Sequence, residues 1–215
     1  FGAMTRKHAF RAAFCLPYAI NEQIAAALAP RPRERIVLVY GRPSVARNAF
    51  SAICAGLYLW QQRDPVRASR WRVVFLGEAF DAWEAEPVQN VVVPGKLDLA
   101  GYADYLNRAS VGVALMVSPH PSYAPLEMAE AGLATVVNSF PGKDVRRRFA
   151  DILAVDALTA EELATAIERA VERMEPRIGC PGARVAPLAQ DTPSPFDAAA
   201  IAALIGAAAP TPPTR

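Results

Sequence analysis

Four short segments of this 215-residue chain carry side chains able to handle a charged, hydroxyl-bearing ligand. The first is Gly41-Arg42-Pro43-Ser44-Val45-Ala46-Arg47-Asn48, which leaves an apolar run and enters a helical pattern. Arg42 and Arg47 stand five residues apart in it. A guanidinium is a planar fork of donors that matches phosphate oxygens, and the start of a helix adds a positive dipole end, so the pair suits a diphosphate. Gly41 would let such a ligand come close to the backbone. Two solvated surface arginines would read the same. The second segment, Pro94 to Asp98, holds Lys96, one of only three lysines, at the end of an apolar run; it reads equally as a plain surface lysine. The third, Ser118 to Ala129, has Pro119, Pro121 and Pro125 to stiffen it, with His120, Ser122, Tyr123, Leu126 and Glu127 between and after them. Glu127 falls in the first turn of a helix, where the dipole favours its ionised form. An ionised carboxylate only accepts hydrogen bonds, and the vicinal hydroxyls of a ribose donate them; a helix cap is the alternative. Tyr123 is able to stack on a base, bond a phosphate or simply pack. His8 is the only other histidine, so His120 belongs to no metal site or catalytic pair visible in the chain. The fourth segment is the basic run Lys143, Arg146, Arg147 and Arg148. It admits peripheral contact with an anionic lipid surface or a lipid-linked diphosphate, or a solvated helix face.

Several chemistries are excluded at this level. There is no Gly-x-Gly-x-x-Gly fingerprint and no P-loop, which weighs against a dinucleotide oxidoreductase and an ATPase. Cys15, Cys54 and Cys180 are odd in number and far apart, with no Cys/His cluster, so neither a disulfide framework nor structural zinc is signalled and a reducing, cytoplasmic setting fits. Net charge is +2, from 23 basic and 21 acidic residues, without the basic excess of a nucleic-acid binder. No run approaches the roughly 18 apolar residues of a membrane span. Residues 1–4, Phe-Gly-Ala-Met, read as a cloning remnant ahead of an internal start, which makes the chain a piece of a longer protein.

These segments follow strand-like runs. Arg35 to Tyr40, Trp71 to Leu76, Asn90 to Val93, Val111 to Met116, Ala134 to Asn138 and Ile152 to Val155 are rich in Val, Ile and Leu and continuous rather than alternating. Such runs belong to strands buried on both faces, as in a parallel sheet. Helical patterns separate them: Phe50, Ile53, Cys54, Leu57 and Tyr58 at 3.6-residue spacing; Leu99 to Asn107 with Leu99, Tyr102, Ala103 and Leu106 inward; Leu126 to Ala131; and Thr159 to Arg173, opened by a Thr159/Glu162 capping box. The alternation predicts an α/β fold with a doubly wound, Rossmann-like parallel sheet and flanking helices over residues 31–175. Ligands of such sheets bind beyond the carboxyl ends of the strands, where the four segments lie. Around this core the chain divides into a helical segment at 5–30, a Pro-rich connection at 176–195, a helix at 196–209 and a disordered tail at 210–215.

The first and third segments resemble the C-terminal domain of GT-B glycosyltransferases of retaining family 4. That family has Gly-Arg followed by a cation five residues on, here Gly41, Arg42 and Arg47, and a loop of the form Glu-Gly-Phe-Gly-x-x-x-Leu-Glu-Ala-Met-Ala, whose second half Leu126-Glu127-Met128-Ala129 resembles. Pro119 stands where family 4 has a first Glu that contacts the donor sugar. The longer segments Tyr40 to Phe50 and Ser118 to Ala129, with Gly95 to Leu97 and Tyr102 to Asp104 between them, are similar to the WsaF-type rhamnosyltransferases, which also lack that Glu. The resemblance implies a donor site for dTDP-L-rhamnose or a similar nucleotide sugar, with no metal or other cofactor. Arg42 and Lys96 would hold the diphosphate, Glu127 the ribose and Tyr123 the phosphates or base, with amides at the Leu126 helix start adding donors. It also implies a glycan or lipid-linked acceptor and an N-terminal GT-B partner domain, on this chain or another, that contributes the acceptor site and part of the catalytic apparatus; the catalytic residues stay unassigned. Two other readings stand beside this one. A nucleotide-sugar epimerase would need paired acids or histidines that are not visible, and a non-catalytic module would fit the missing Glu.

Overall fold

The apolar runs become six strands: β1 (Ile36–Tyr40), β2 (Arg72–Leu76), β3 (Val91–Gly95), β4 (Val111–Ala114), β5 (Ala134–Asn138) and β6 (Ile152–Val155). In this computed structural model the described residues are 20–188 apart from Pro121, Gly142, Asp144 and Arg147. The 1–4 remnant, the helix expected at 196–209 and the tail at 210–215 lie outside them, as does most of the 5–30 segment. The strands form one fully parallel sheet in the order β3-β2-β1-β4-β5-β6. The continuous apolar runs have the expected meaning. Along β1, Val37 and Val39 enter one core and Ile36 and Leu38 the other, all four with no exposed surface.

Helices cover both faces. On one lie α2 (Phe50–Arg63) and α6 (Ala160–Met174), which bury Ile53, Leu57, Trp60, Leu163, Ile167 and Val171 with Val37, Val39, Phe75 and Val113. On the other lie α1 (Glu22–Ala27), α4 (Leu99–Arg108) and α5 (Ala124–Glu130), through Ile24, Leu106 and Met128. A short α3 (Pro65–Ala68), capped by Asp64, links α2 to β2; one turn is too short to leave a periodic signal. Several expectations shift by a residue or two. Tyr58 and Leu99 are 37% and 47% exposed rather than inward, because the face that α2 buries holds Ile53, Gly56, Leu57 and Trp60 and Leu99 is the first residue of α4. β3 runs on through Pro94, which an edge strand tolerates because the missing N–H would have pointed to solvent. The capping box at Thr159 is half made. The Thr159 hydroxyl accepts the Glu162 N–H (3.2 Å), but the Glu162 carboxylate turns instead to the N–H groups of Asp156 and Ala157 (3.1 and 3.0 Å).

Arg33 sits at the end of the sheet opposite the strand carboxyl ends. It is 4% exposed, and its guanidinium donates to the carbonyls of Leu106 (3.0 Å), Asn107 (3.3 Å), Ala109 (2.6 Å) and Ala131. The last carbonyls of α4 and α5 therefore converge on one cation. Burial, and then Arg177 nearby, lower its pKa to about 10. The described part of the Pro-rich connection packs over it: Gly179 and Gly182 donate to the carbonyls of Arg33 and Arg31, Val185 to that of Glu130 and Leu188 to that of Arg148.

α2 meets α6 at Gly56, where an added Cβ would stand 2.5 Å from the Leu163 Cβ. Gly56→Ala gains about 1 kcal/mol of helix propensity, but forcing the two backbones apart costs about 1–3 kcal/mol. The expected net outcome is destabilisation of roughly 1 kcal/mol, read as a lower urea midpoint with an unchanged m-value; a raised midpoint would show that the α2–α6 contact has room to relax.

Candidate functional site

β1 and β4 are neighbours, and the strand order runs outward in opposite directions from them. Their following loops diverge and leave a crevice over the strand ends, the place where open α/β sheets take ligands. The loop after β1 is tied down on two sides. Val117 donates its N–H to the Arg47 carbonyl (2.7 Å), joining the loop after β4, and the Ser44 hydroxyl donates to Glu78 (2.9 Å), joining the loop after β2. Arg47 itself lies on a single 3₁₀ turn, Ala46–Asn48, ahead of α2.

Two hollows share the crevice. The first, about 370 Å³, has Arg42, Arg47 and Asn48 on one wall, Met116, Ser118 and His120 on the other, and Tyr40, Ser122 and Tyr123 at one end. Asn48 is buried, and its amide donates to the Leu115 carbonyl (3.2 Å), which leaves its Oδ1 without a donor. Arg42 Nε is also enclosed and has no acceptor. Buried polar atoms of a folded protein are almost always paired. Among the described residues three such side-chain atoms are not, and two belong to residues of this hollow. On the other wall the loop is braced internally: Ser122 N–H donates to His120 Nδ1 (3.1 Å) and the Ser118 hydroxyl to the His120 carbonyl (3.2 Å). Ser122 takes φ +70°, which turns the chain so that Ser122 and Tyr123 form the ridge between the hollows.

The second hollow, about 300 Å³, continues beyond that ridge. Lys96, Asp98 and Tyr102 face Glu127 across it, with Tyr40 and Gly77 at its floor. Gly77, at φ +106°, leaves the space into which Tyr40 and the Arg42 stem pack. The Tyr102 hydroxyl donates to Glu127 Oε2 (2.8 Å). Burial pushes the Glu127 carboxyl pKa upward and the Tyr102 hydrogen bond only partly offsets it, so the site opposes the ionisation expected from the helix dipole. Burial, with the Glu127 carboxyl beside it, raises Tyr102 well above the usual phenol range.

Six of the eight residues singled out in the sequence therefore meet here: Arg42 and Arg47 in the first hollow, Lys96 and Glu127 in the second, and Ser122 and Tyr123 in both. Gly41 and Leu126 line neither. A Cβ on Gly41 would stand 3.3 Å from side-chain atoms of Val39, Phe50 and Phe75, so the glycine also eases core packing beneath the loop. Leu126 is buried in the core, and the N–H groups of Leu126 and Glu127 are already given to the Tyr123 carbonyl (2.9 Å each). Tyr40, Asn48 and Tyr102 join the walls without having been singled out as ligand contacts. The basic run is not a helix face: Lys143 is buried, and Arg146 is exposed and pairs with Asp156 (3.7 Å). A larger hollow, about 450 Å³, lies away from the crevice between β6 and α6. Of its three acids, Asp156 is paired with Arg146 and Glu162 accepts backbone N–H groups, while Glu161 lies beside Arg169 in the lining; none of the residues singled out in the sequence lines it. Among the described residues no group of three or more His, Cys, Asp or Glu could hold a metal ion, and no helix is long and apolar enough to cross a membrane.

Comparison with known proteins gives this geometry a setting. The profile of the WsaF C-terminal domain family matches residues 35–168. The O-antigen biosynthesis protein RfbC of Myxococcus xanthus is 33% identical over 113 residues, 52% of this chain and 8% of its own length. An α,α-trehalose-phosphate synthase (UDP-forming) from Burkholderia vietnamiensis superposes with a TM-score of 0.52 at 12% identity, over 70% of this chain and 38% of its own. A sucrose-phosphate synthase from Thermosynechococcus elongatus gives 0.50 at 18% identity, over 83% and 48%. The likeness to these structures is one of fold: a Rossmann-like domain of the kind GT-B glycosyltransferases contain. The chain spans under half the length of each of these three proteins.

The upward shift of Glu127 has a sign that can be tested. A carboxyl whose folded pKa exceeds its unfolded value is disfavoured as an anion by the fold, so stability falls as pH rises through that interval and stays reduced at neutral pH. Glu127→Gln keeps the shape and an acceptor for Tyr102 but removes the charge. Its urea midpoint should exceed the wild-type value at pH 7 and converge with it below pH 4, and a lower midpoint at pH 7 would contradict the dominance of burial.

Proposed function

The chain belongs to the WsaF C-terminal domain family, and from that premise we propose that it is the donor-binding domain of a glycosyltransferase that moves L-rhamnose from dTDP-L-rhamnose, or a closely similar sugar from its nucleotide, to a glycan or lipid-linked acceptor of a cell-surface polysaccharide. The observation that carries this reading is the pair of hollows joined at the Ser122–Tyr123 ridge. One end offers two guanidiniums and the other a carboxylate beside a phenol and a lysine, which is the polarity sequence of a nucleoside diphosphate. Arg42, Arg47 and Lys96 take the diphosphate, Glu127 the ribose hydroxyls, and Tyr123 flanks the base or phosphates. The O-antigen biosynthesis role in the name of the Myxococcus relative supports the polysaccharide setting.

Glycosyl transfer releases the nucleoside diphosphate, so charge grows on the leaving phosphate in the transition state. Fixed cations there are worth more to the transition state than to the bound donor and serve rate as well as affinity. This reading needs no metal ion, since the cations do the work. The acceptor site and the remaining catalytic groups come from an N-terminal GT-B domain, on the same chain or another, and the reaction takes place in the cytoplasm at the inner face of the membrane. Pro119, at the position of a sugar-contacting Glu in family 4, favours a second reading: a module that binds the nucleotide sugar and leaves transfer to another component.

Calorimetry with dTDP-L-rhamnose, dTDP, UDP-glucose and UDP tests the donor site that both readings share, and product formation by the full-length protein separates them. Thymidine ligands should bind more tightly than uridine ligands, and Arg42→Ala and Glu127→Ala should each weaken binding about tenfold or more, about 1.4 kcal/mol. A uridine preference would remove rhamnose from the reading and keep the donor site; no binding by any of the four would remove the donor site. Transfer by this chain alone should be poor, and robust turnover would contradict the need for a partner domain.

A further inference from the structure

Lys143 is a buried ammonium that has no counter-charge among the described residues. It is 7% exposed and donates to the Met116 carbonyl (2.6 Å) and to Asn138 Oδ1 (3.4 Å). Both acceptors are neutral, and among the described residues no carboxylate pairs with it. Asn138 in turn holds the Met116 peptide from both sides, accepting its N–H (2.8 Å) and donating to its carbonyl (3.2 Å). That peptide is therefore secured without the lysine. Met116 is also a wall of the hollow that contains Arg42 and Arg47, so the ammonium stands one carbonyl behind that wall. An unpaired charge is expensive to take out of water, and an uncharged donor would satisfy the carbonyl at lower cost. Burial accordingly lowers the Lys143 pKa to about 8.

What repays the burial of a cation is an anion nearby. We infer that Lys143 is a further cation of the anion site, beside Arg42, Arg47 and Lys96, acting through its field, from behind the Met116 carbonyl, on a diphosphate held in the Arg42–Arg47 hollow. The inference rests on the donor-site reading and adds a residue to it. Its effect does not need contact: a charge in a partly dry wall is poorly screened, unlike the exposed Lys96, whose field water and salt weaken. Among the described residues, the charged or titratable side chains nearest in the fold are Arg42, Arg47 and His120, which line the hollow beyond Met116, and Arg146, paired with Asp156, and Arg148 on its own segment.

The test uses whichever of dTDP and UDP the wild type binds more tightly, with its free nucleoside as the uncharged control, followed by calorimetry and NMR titration. At pH 7, Lys143→Gln should weaken the diphosphate about tenfold and the nucleoside less than twofold. Because a lysine of lowered pKa is charged below about pH 8 and neutral above it, wild-type affinity for the diphosphate should fall several-fold between pH 7 and pH 9. The variant should not show this fall. Equal loss of diphosphate and nucleoside would assign Lys143 a purely structural role and overturn the inference, as would an unchanged affinity or the same pH dependence in both proteins. If Lys143→Gln does not fold, the wild-type series decides alone: a diphosphate affinity that stays level relative to the nucleoside from pH 7 to pH 9 overturns it. A wild type that binds neither diphosphate fails the donor-site reading itself and this inference with it.

Discussion

The carbonyl ends of α4 and α5 converge on one guanidinium, and the site at the other end of those helices depends on that convergence. A helix ends in a partial negative charge and unpaired carbonyls. Two such ends side by side, buried against the connection that crosses them, need a cation with several donors in a fixed plane. Arg33 supplies it, giving hydrogen bonds to Leu106, Asn107, Ala109 and Ala131. Each buried carbonyl left without a donor would cost on the order of 1–3 kcal/mol, a large fraction of the stability of a domain this size. The opposite ends of α4 and α5 carry Tyr102 and Glu127, bonded at 2.8 Å. Pinning the two helices together at one end is what allows a single hydrogen bond to set their spacing at the other.

Charge is distributed unevenly between the two ends of the sheet. Near Arg33 the ionic groups are neutralised in pairs, Glu34 with Arg72 and Arg108, and Asp104 with Arg108. These are part-exposed and worth little individually. At the strand carboxyl ends the balance is left open: Glu127 shifts upward, Lys143 shifts downward, and Arg42 Nε and Asn48 Oδ1 lack partners. Local rules of polar satisfaction are broken together in one place, which is the pattern of a surface built to be completed by something else.

Much of this was legible in the chain itself, for identifiable reasons. Strands buried on both faces must be apolar at successive residues, so β5 and β6 could be bounded to the residue. Parallel sheets then direct attention to the strand carboxyl ends, and six of the eight residues picked out there share the crevice. The remainder depended on contacts between distant segments. Tyr102 looked like one more inward residue of a helix, because nothing local shows that Glu127 stands across from it. Glu127 looked like an ordinary helix-start acid, because its burial comes from loops far along the chain. Lys143 looked like part of a solvated basic run. Its side chain instead bonds Met116, just past β4, and Asn138, at the end of β5, which a run of like charges cannot reveal. Gly41 also fits closely against Val39, Phe50 and Phe75, a packing constraint that the local sequence does not display.

The left-handed backbone of Ser122 bears on how this protein can vary. The side chain is only half-buried, so a larger group would meet no crowded core. What restricts the position is the chain's own geometry: at φ +70°, Gly, Asn and Asp fit with little strain, while β-branched and bulky residues do not. Mutational drift at 122 is therefore channelled into a few small or amide-bearing side chains. Two of these carry their own hydrogen-bonding groups into both hollows at once, so the ridge can change what it offers a ligand while keeping its shape.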